Sequence, residues 1–148
     1  MTIVVCLAVS MMFASCENGN SNGNGNNNGS NNGSSTDGNW PSASVLSKYG
    51  LDGMSKPSGY SGGDFNETVG AGGIQGLVIV FSGNASTATS VKKYFSDNSS
   101  WEKVQEINGD GGSIIYYHKE SNGIAYSTTF TESDGESFQL VVAREPIE

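Results

Sequence analysis

The chain has 148 residues, with 7 Lys and Arg against 15 Asp and Glu, a net charge of −8 and two cysteines. This length predicts one small folded domain. Nucleic-acid binding depends on clustered Lys and Arg, and the only adjacent basic pair is Lys92–Lys93, so the composition excludes nucleic acid as the main ligand. The acidic balance also excludes electrostatic attraction to an anionic lipid surface, and any membrane attachment must have another origin.

The first fifteen residues carry no charge, and residues 3–14 are apolar apart from Ser10. This run has the length of a signal-peptide apolar region and is too short to span a bilayer, which takes a helix of about 20 residues. It ends in the small residues Ala14 and Ser15, directly before Cys16. We therefore predict a signal peptide over residues 1–15. No Lys or Arg precedes the apolar run, so either the true start lies upstream or the signal is atypical.

The tetrapeptide Phe13-Ala14-Ser15-Cys16 resembles a bacterial lipobox, with Phe13 where leucine is usual. In such lipoproteins the signal is cut just before the cysteine, and the cysteine sulfur is acylated. The resemblance implies that Cys16 becomes the lipidated first residue and that lipid anchors the protein to a membrane of the bacterial cell envelope. It leaves open which membrane and which face.

Two alternatives for Cys16 are a plain secretory signal followed by a free or disulfide-bonded cysteine, and a retained anchor. The only possible disulfide partner is Cys6, which lies inside the apolar region that cleavage removes. Lipidation explains both the number and the position of the cysteines, whereas an exposed free thiol is a liability in a secreted chain. We therefore expect neither a disulfide nor a zinc site.

Residues 16–39 are predicted to form the lipidated cysteine and a disordered linker. The stretch 18–39 comprises ten Asn, six Gly, four Ser, one Thr and one Asp. Because it has no apolar side chain to bury, nothing offsets the entropy of ordering its backbone. As a flexible coil it spans roughly 25 Å, which suits a tether.

Residues 40–148 are predicted to form a single α+β domain. Residues 40–50 have the pattern of a short helix, and residues 51–73 that of a long loop with room for a short strand near Phe65. An apolar run at 74–82 indicates a central strand. A helix follows, with several candidate caps at residues 84–87, and it ends near Asp97. Four further strands are predicted between turn sequences, at residues 101–107, 113–120, 124–132 and 137–145.

This order predicts a mainly antiparallel sheet of about five strands, arranged as strand, helix and four-strand meander, with one packed helix and a short N-terminal helix. Alternation predicts two sets of side chains that meet the helix: Ile124, Tyr126 and Phe130, and Phe138, Leu140 and Val142. The layout, with Trp-Pro soon after the linker, resembles small bacterial lipoproteins whose domains have no assigned activity.

The residues offer little catalytic or metal chemistry. His118 is the only histidine, it lies in a predicted strand, and no Gly-x-Ser-x-Gly motif is present, so we predict a structural or surface role for it. One histidine does not supply a transition-metal site. The turns at 108–112 and 132–136 lack the ligand spacing of a calcium loop. We therefore expect no catalytic residue, no metal and no cofactor.

Three aromatic residues form the candidate binding site, namely Trp101, Tyr116 and Tyr117. Tyr116 and Tyr117 must point to opposite faces of a regular strand, so one of them points outward. An outward tyrosine near Trp101 would offer a platform for a sugar or a protein. The alternative, which the sequence favours, is a cross-strand aromatic pair within the sheet.

Three hypotheses for function follow. The leading one is a lipid-anchored envelope protein that presents a small, non-enzymatic domain to a protein or glycan partner. The second is a tethered glycan hydrolase that uses paired carboxylates. The third is a purely structural envelope component. The candidate carboxylates for the hydrolase are Asp64, Glu67, Glu132, Asp134 and Glu136.

Overall fold

The computed structural model describes residues 39–147, which form an α+β fold with a single antiparallel sheet. Six strands are hydrogen-bonded in the order β1-β2-β6-β5-β4-β3. No helix within this described part of the chain is long and apolar enough to cross a membrane. The elements are α1 (Ala43–Lys48), β1 (Gly62–Val69), β2 (Gln75–Ser82), α2 (Ala85–Asp97), β3 (Glu102–Gly109), β4 (Gly112–Ser121), β5 (Ile124–Ser133) and β6 (Ser137–Pro146).

The sheet has one strand more than the predicted number of about five. The additional strand, β1, lies within residues 51–73, where the sequence predicts a long loop with room for a short strand near Phe65, and it pairs with β2 along its whole length. Its sequence, GGDFNETV, has only two apolar residues, and most of its side chains are exposed. An edge strand is held by backbone hydrogen bonds to one neighbouring strand. These bonds do not depend on side chains, so they produce no apolar periodicity in the sequence.

The four C-terminal strands form the predicted meander, because β3, β4, β5 and β6 are consecutive neighbours in the sheet. The turn between β4 and β5 shows why Asn-Gly was a reliable signal. Asn122 and Gly123 have φ angles of 52° and 72°. Positive φ at both central residues is the requirement of the two-residue hairpin turn whose twist matches that of the flanking strands.

Helix α2 begins and ends as its sequence dictates. The Asn84 side chain accepts a hydrogen bond from the Ser86 backbone N–H, and the Thr87 side chain accepts one from the Asn84 N–H, which forms a capping box. At the other end the Asn98 N–H donates to the Tyr94 carbonyl. The buried residues of α2 lie on one stripe that faces the sheet: Thr87, Ala88, Val91 and Phe95.

Phe95 is the centre of the contact between α2 and the sheet. Its ring stacks on Tyr117 of β4, with centroids 4.1 Å apart and planes at 11°, and it meets Trp101 edge-to-face at 5.3 Å. All three side chains are buried. The inward positions of β5 and β6 that were predicted to meet the helix are buried in the core, and Ile124 is the one member of that set that is only partly buried.

A buried lysine holds the segment after α1 against the sheet. Lys119 on β4 is 8% exposed, and its Nζ donates to the Gly50 carbonyl at 2.9 Å. The ammonium lies 5.5 Å from the Trp101 ring centroid and 5.8 Å from that of Tyr126. Its charge is thus satisfied by one carbonyl, by aromatic faces and by Asp52 Oδ2 at 3.6 Å.

The helix–sheet contact predicts a large effect for Phe95→Ala. Removing a buried aromatic ring costs about 3 to 5 kcal/mol through lost transfer free energy and the cavity left behind. Urea unfolding of the full chain measures the change in the free energy of unfolding. Ser96→Ala, at the neighbouring exposed position, is the matched control and should stay within about 0.5 kcal/mol of the wild type. A loss below about 1 kcal/mol for Phe95→Ala would contradict the assigned packing.

Candidate binding face

Among residues 39–147, the sheet has one face against the helices and one face open to solvent. We call the outward side chains of the six strands the open face. The helices lie on the other side, since Phe95 of α2 stacks on Tyr117 and Lys48 of α1 pairs with Glu67. On the open face Val80 is 52% exposed and Ile107 is 47% exposed.

Apolar and β-branched side chains occupy the middle of the open face. The register places Val78, Val141, Thr129 and Tyr116 side by side across β2, β6, β5 and β4. A second row, one step along the strands, runs from Val80 through Gln139 and Thr131 to Ile114 and Ile107. An antiparallel sheet with one face in water normally alternates apolar residues facing inward with polar residues facing outward, and the outward valines and isoleucines on several strands depart from this pattern.

The charges of the open face all have one sign. Its acidic residues lie on the outer strands and at the ends of the inner strands, and none of the seven Lys and Arg projects from it, because every one of them lies on the helix side of the sheet or in the segment before β1. The acids are Asp64, Glu102, Glu120 and Glu145.

The three predicted aromatic site residues are not brought together on one exposed surface. Trp101 and Tyr117 are each 6% exposed and belong to the core under α2. Tyr116 points the other way and is half-buried on the open face between Gln105 and Thr129. Phe95 packs against both Trp101 and Tyr117, which line the groove beside α2, and Tyr116 alone points to the open face.

A groove of about 500 Å³ lies between α2 and strands β3 and β4. Lysines 92, 93 and 103 line it, but a carboxylate neutralises each of them. Lys92 pairs with Glu132 at 3.0 Å, Lys103 pairs with Glu106 at 2.8 Å, and Lys93 pairs with Asp97. The groove therefore presents no unbalanced positive charge, and its aromatic floor is the buried Phe95–Tyr117 stack.

The candidate carboxylates for hydrolysis do not form a facing pair. Glu132 points to the helix side, where it accepts hydrogen bonds from Lys92 and from Ser113 Oγ, whereas Asp64 points to the open face. Glu67 is paired with Lys48 and also accepts a hydrogen bond from the Tyr49 hydroxyl, and these contacts hold the pKa of its carboxyl below its usual value. The remaining candidates, Asp134 and Glu136, are exposed in the turn between β5 and β6.

The single histidine and the acids also form no metal site in the described residues. His118 lies on the open face with its Nε2 3.4 Å from Glu120 Oε1. Residues 39–147 contain no group of three or more His, Cys, Asp or Glu side chains that could hold a metal ion. Cys16, the signal peptide of residues 1–15 and nearly all of the predicted linker lie outside the described residues.

No protein-family model, curated protein or solved structure matches this chain. Its function is therefore argued from its own residues and geometry.

The burial of Tyr117 predicts a loss of stability at alkaline pH. Burial, together with the Glu106 carboxylate, raises the pKa of Tyr117 to about 12, from an ordinary value of 10.0. The unfolded chain therefore loses this proton at lower pH than the folded chain does, so the contribution is complete below pH 10.0 and is lost as the pH rises towards about 12. Free energies of unfolding across this window should fall less steeply for Tyr117→Phe than for the wild type. Tyr116→Phe, on the opposite face, is the matched control, and identical slopes for Tyr117→Phe and wild type would contradict the burial.

Proposed function

We propose that this chain is a lipid-anchored protein of the bacterial cell envelope whose domain, residues 40–148, binds a protein or glycan partner and is not an enzyme. The observation that carries the proposal is the open face, where outward Val80, Ile107 and Tyr116 remain accessible on a sheet that is otherwise built around a buried core. Covering such a surface gains about 25 cal/mol for each Å² of apolar area removed from water.

The composition of the open face matches that of a binding surface. A central tyrosine with aliphatic neighbours and a charged periphery is the usual layout of a protein interface, in which charged residues are depleted at the centre. Tyr116 lies near the middle of β4, and the carboxylates of Glu102, Glu120 and Glu145 lie beyond it toward one end of the strands. The strand ladders fix these backbones, so a partner meets a preformed surface.

Lipid attachment at Cys16 would place this domain at a membrane. Each buried methylene of an acyl chain contributes about 0.8 kcal/mol, and more than one chain gives stable anchoring. The linker of residues 16–39 would then hold the domain off the bilayer and leave the open face free to meet a partner.

The two other hypotheses have less support from the geometry. A glycan hydrolase needs two carboxyl groups on either side of one bond, and Asp64 and Glu132 point to opposite faces of the sheet. A purely structural component does not need outward valines, because the same sheet would form with polar side chains on its solvent-facing side.

Substitution of exposed apolar residues tests the binding proposal. Val80→Ser combined with Ile107→Ser should reduce capture of the partner at least about 10-fold, or about 1.4 kcal/mol, because both side chains lie on the open face. The full chain, held in non-ionic detergent, is the bait against an envelope extract and a glycan array, and circular dichroism verifies the fold. Val69→Ser is the matched control. Val69 is 80% exposed, but by the alternation of β1 its side chain lies on the helix side of the sheet. Equal loss in the control, or no loss in the double variant, would contradict the proposal.

Anchoring is tested by Cys16→Ala. The variant should lose both the incorporation of labelled fatty acid and its place in the membrane fraction, because the proposed acceptor sulfur is gone. Cys6→Ala keeps Cys16 and should retain both properties, which controls for loss of a cysteine as such. A Cys16→Ala protein that is still acylated and membrane-bound would refute the assignment.

A further inference from the structure

We infer that the partner of the open face is a polypeptide that presents an apolar strip flanked by Lys or Arg. This inference rests on the proposed function and narrows its partner class. It is carried by three features of the same surface: an aliphatic centre, a group of carboxylates at one end, and the lack of any lysine or arginine among its outward positions.

The centre of the open face suits side chains better than sugars. Sugar recognition relies on exposed aromatic rings that stack against the sugar face, and Tyr116 is the one aromatic residue among the outward positions of the six strands. Gln105 and Thr129 flank it, and the outward positions nearby include Ile114 and Val141, which apolar side chains of a partner can cover. The chemistry therefore favours a polypeptide over a glycan.

The acidic residues are concentrated at one end of the open face. Glu120 and Glu145 flank Ala125 in one cross-strand row, and Glu102 pairs with His118 in the adjacent row. Glu120 lies four positions after Tyr116, and Glu145 lies four positions after Val141, which is about 13 Å along the strand in each case. A partner would thus place its cations about 13 Å from its apolar contacts.

The same charges disfavour two other occupants. A second copy of this chain, docked face to face, would bring like carboxylates together at an interface with no compensating cation. An anionic lipid surface would be repelled in the same way. A cationic polypeptide gains from both the apolar centre and the acidic end.

Two model peptides test the inference. They share the same leucine positions, and one has lysine where the other has glutamate. Fluorescence anisotropy of each labelled peptide, titrated with the full chain in non-ionic detergent, should give a dissociation constant at least about 10-fold lower for the lysine peptide, and this affinity should weaken as salt is raised.

Opposite charges at one position then locate the contact. Val80→Lys and Val80→Glu remove the same apolar group, so the lysine variant should bind the lysine peptide at least about 5-fold more weakly than the glutamate variant does. Glu120→Gln combined with Glu145→Gln should also weaken binding. The controls are Val69→Lys, Val69→Glu and the exposed helix substitution Asp97→Asn, which should leave binding unchanged. Attraction to the net charge of −8 alone would act equally at all these positions.

The outcomes separate this inference from the proposed function. Equal affinity for the two peptides, or equal effects of Val80→Lys and Val80→Glu, would overturn the cationic partner while leaving the open face as a binding surface. Glycan binding that is abolished by Tyr116→Ala would likewise overturn the cationic polypeptide partner while leaving the open face as a binding surface. Concentration-dependent dimers in sedimentation that Val80→Lys disrupts would replace the polypeptide with a second copy. Peptide binding that changes with substitutions at Val69 and Asp97, but not at Val80, would contradict the assignment of the open face as the binding surface.

Discussion

Burial of the α2 stripe against one side of the sheet organises this molecule. The stack of Phe95 on Tyr117 joins the helix to β4, and Trp101 closes the same cluster just before β3. Lys119 extends it to the segment after α1 through the Gly50 carbonyl. Because both helices contact the same side of the sheet, the large buried side chains occupy every second position of the strands. The alternate positions face solvent.

That asymmetry gives the proposed function its physical basis. A sheet residue that points away from the helices contributes little to the core, so selection for folding alone does not require it to be apolar. Val78, Val80 and Val141 are nevertheless apolar, and the charges around them are uniformly negative. The groove beside α2 contrasts with this surface, since each of its lysines has a carboxylate partner. A tether from a lipidated Cys16 would hold the domain at a membrane, and the open face would bind the partner there.

The sequence predicted those features of the fold that depend on one or two adjacent residues. Asn122-Gly123 predicted its hairpin, and the candidate caps at residues 84–87 predicted a helix start there, at which Asn84 is the cap. Alternation also predicted that Tyr116 and Tyr117 point in opposite directions. Which of them is buried depends on Phe95, a residue 22 positions earlier on a different element, and no local pattern contains that contact. The sequence allowed only a short strand near Phe65, and the full length of β1 was not predicted for a similar reason, because β1 is specified by its ladder to β2 more than by its own side chains. In β2 the continuous run LVIVF is typical of strands covered on both sides, so it concealed the outward position of Val78 and Val80.

Solvent accessibility of individual methyl groups tests the one-sided cover most directly. Full chain with labelled methyl groups can be studied by NMR with a soluble paramagnetic agent, and neighbouring residues of one strand then serve as internal controls. The account predicts strong relaxation of the methyl signals of Val78, Val80 and Val141, and protection of those of Leu77, Ile79 and Val142. Protection of Val78, Val80 and Val141 to the same degree as their neighbours would show that the second face is covered, and would contradict an open binding face.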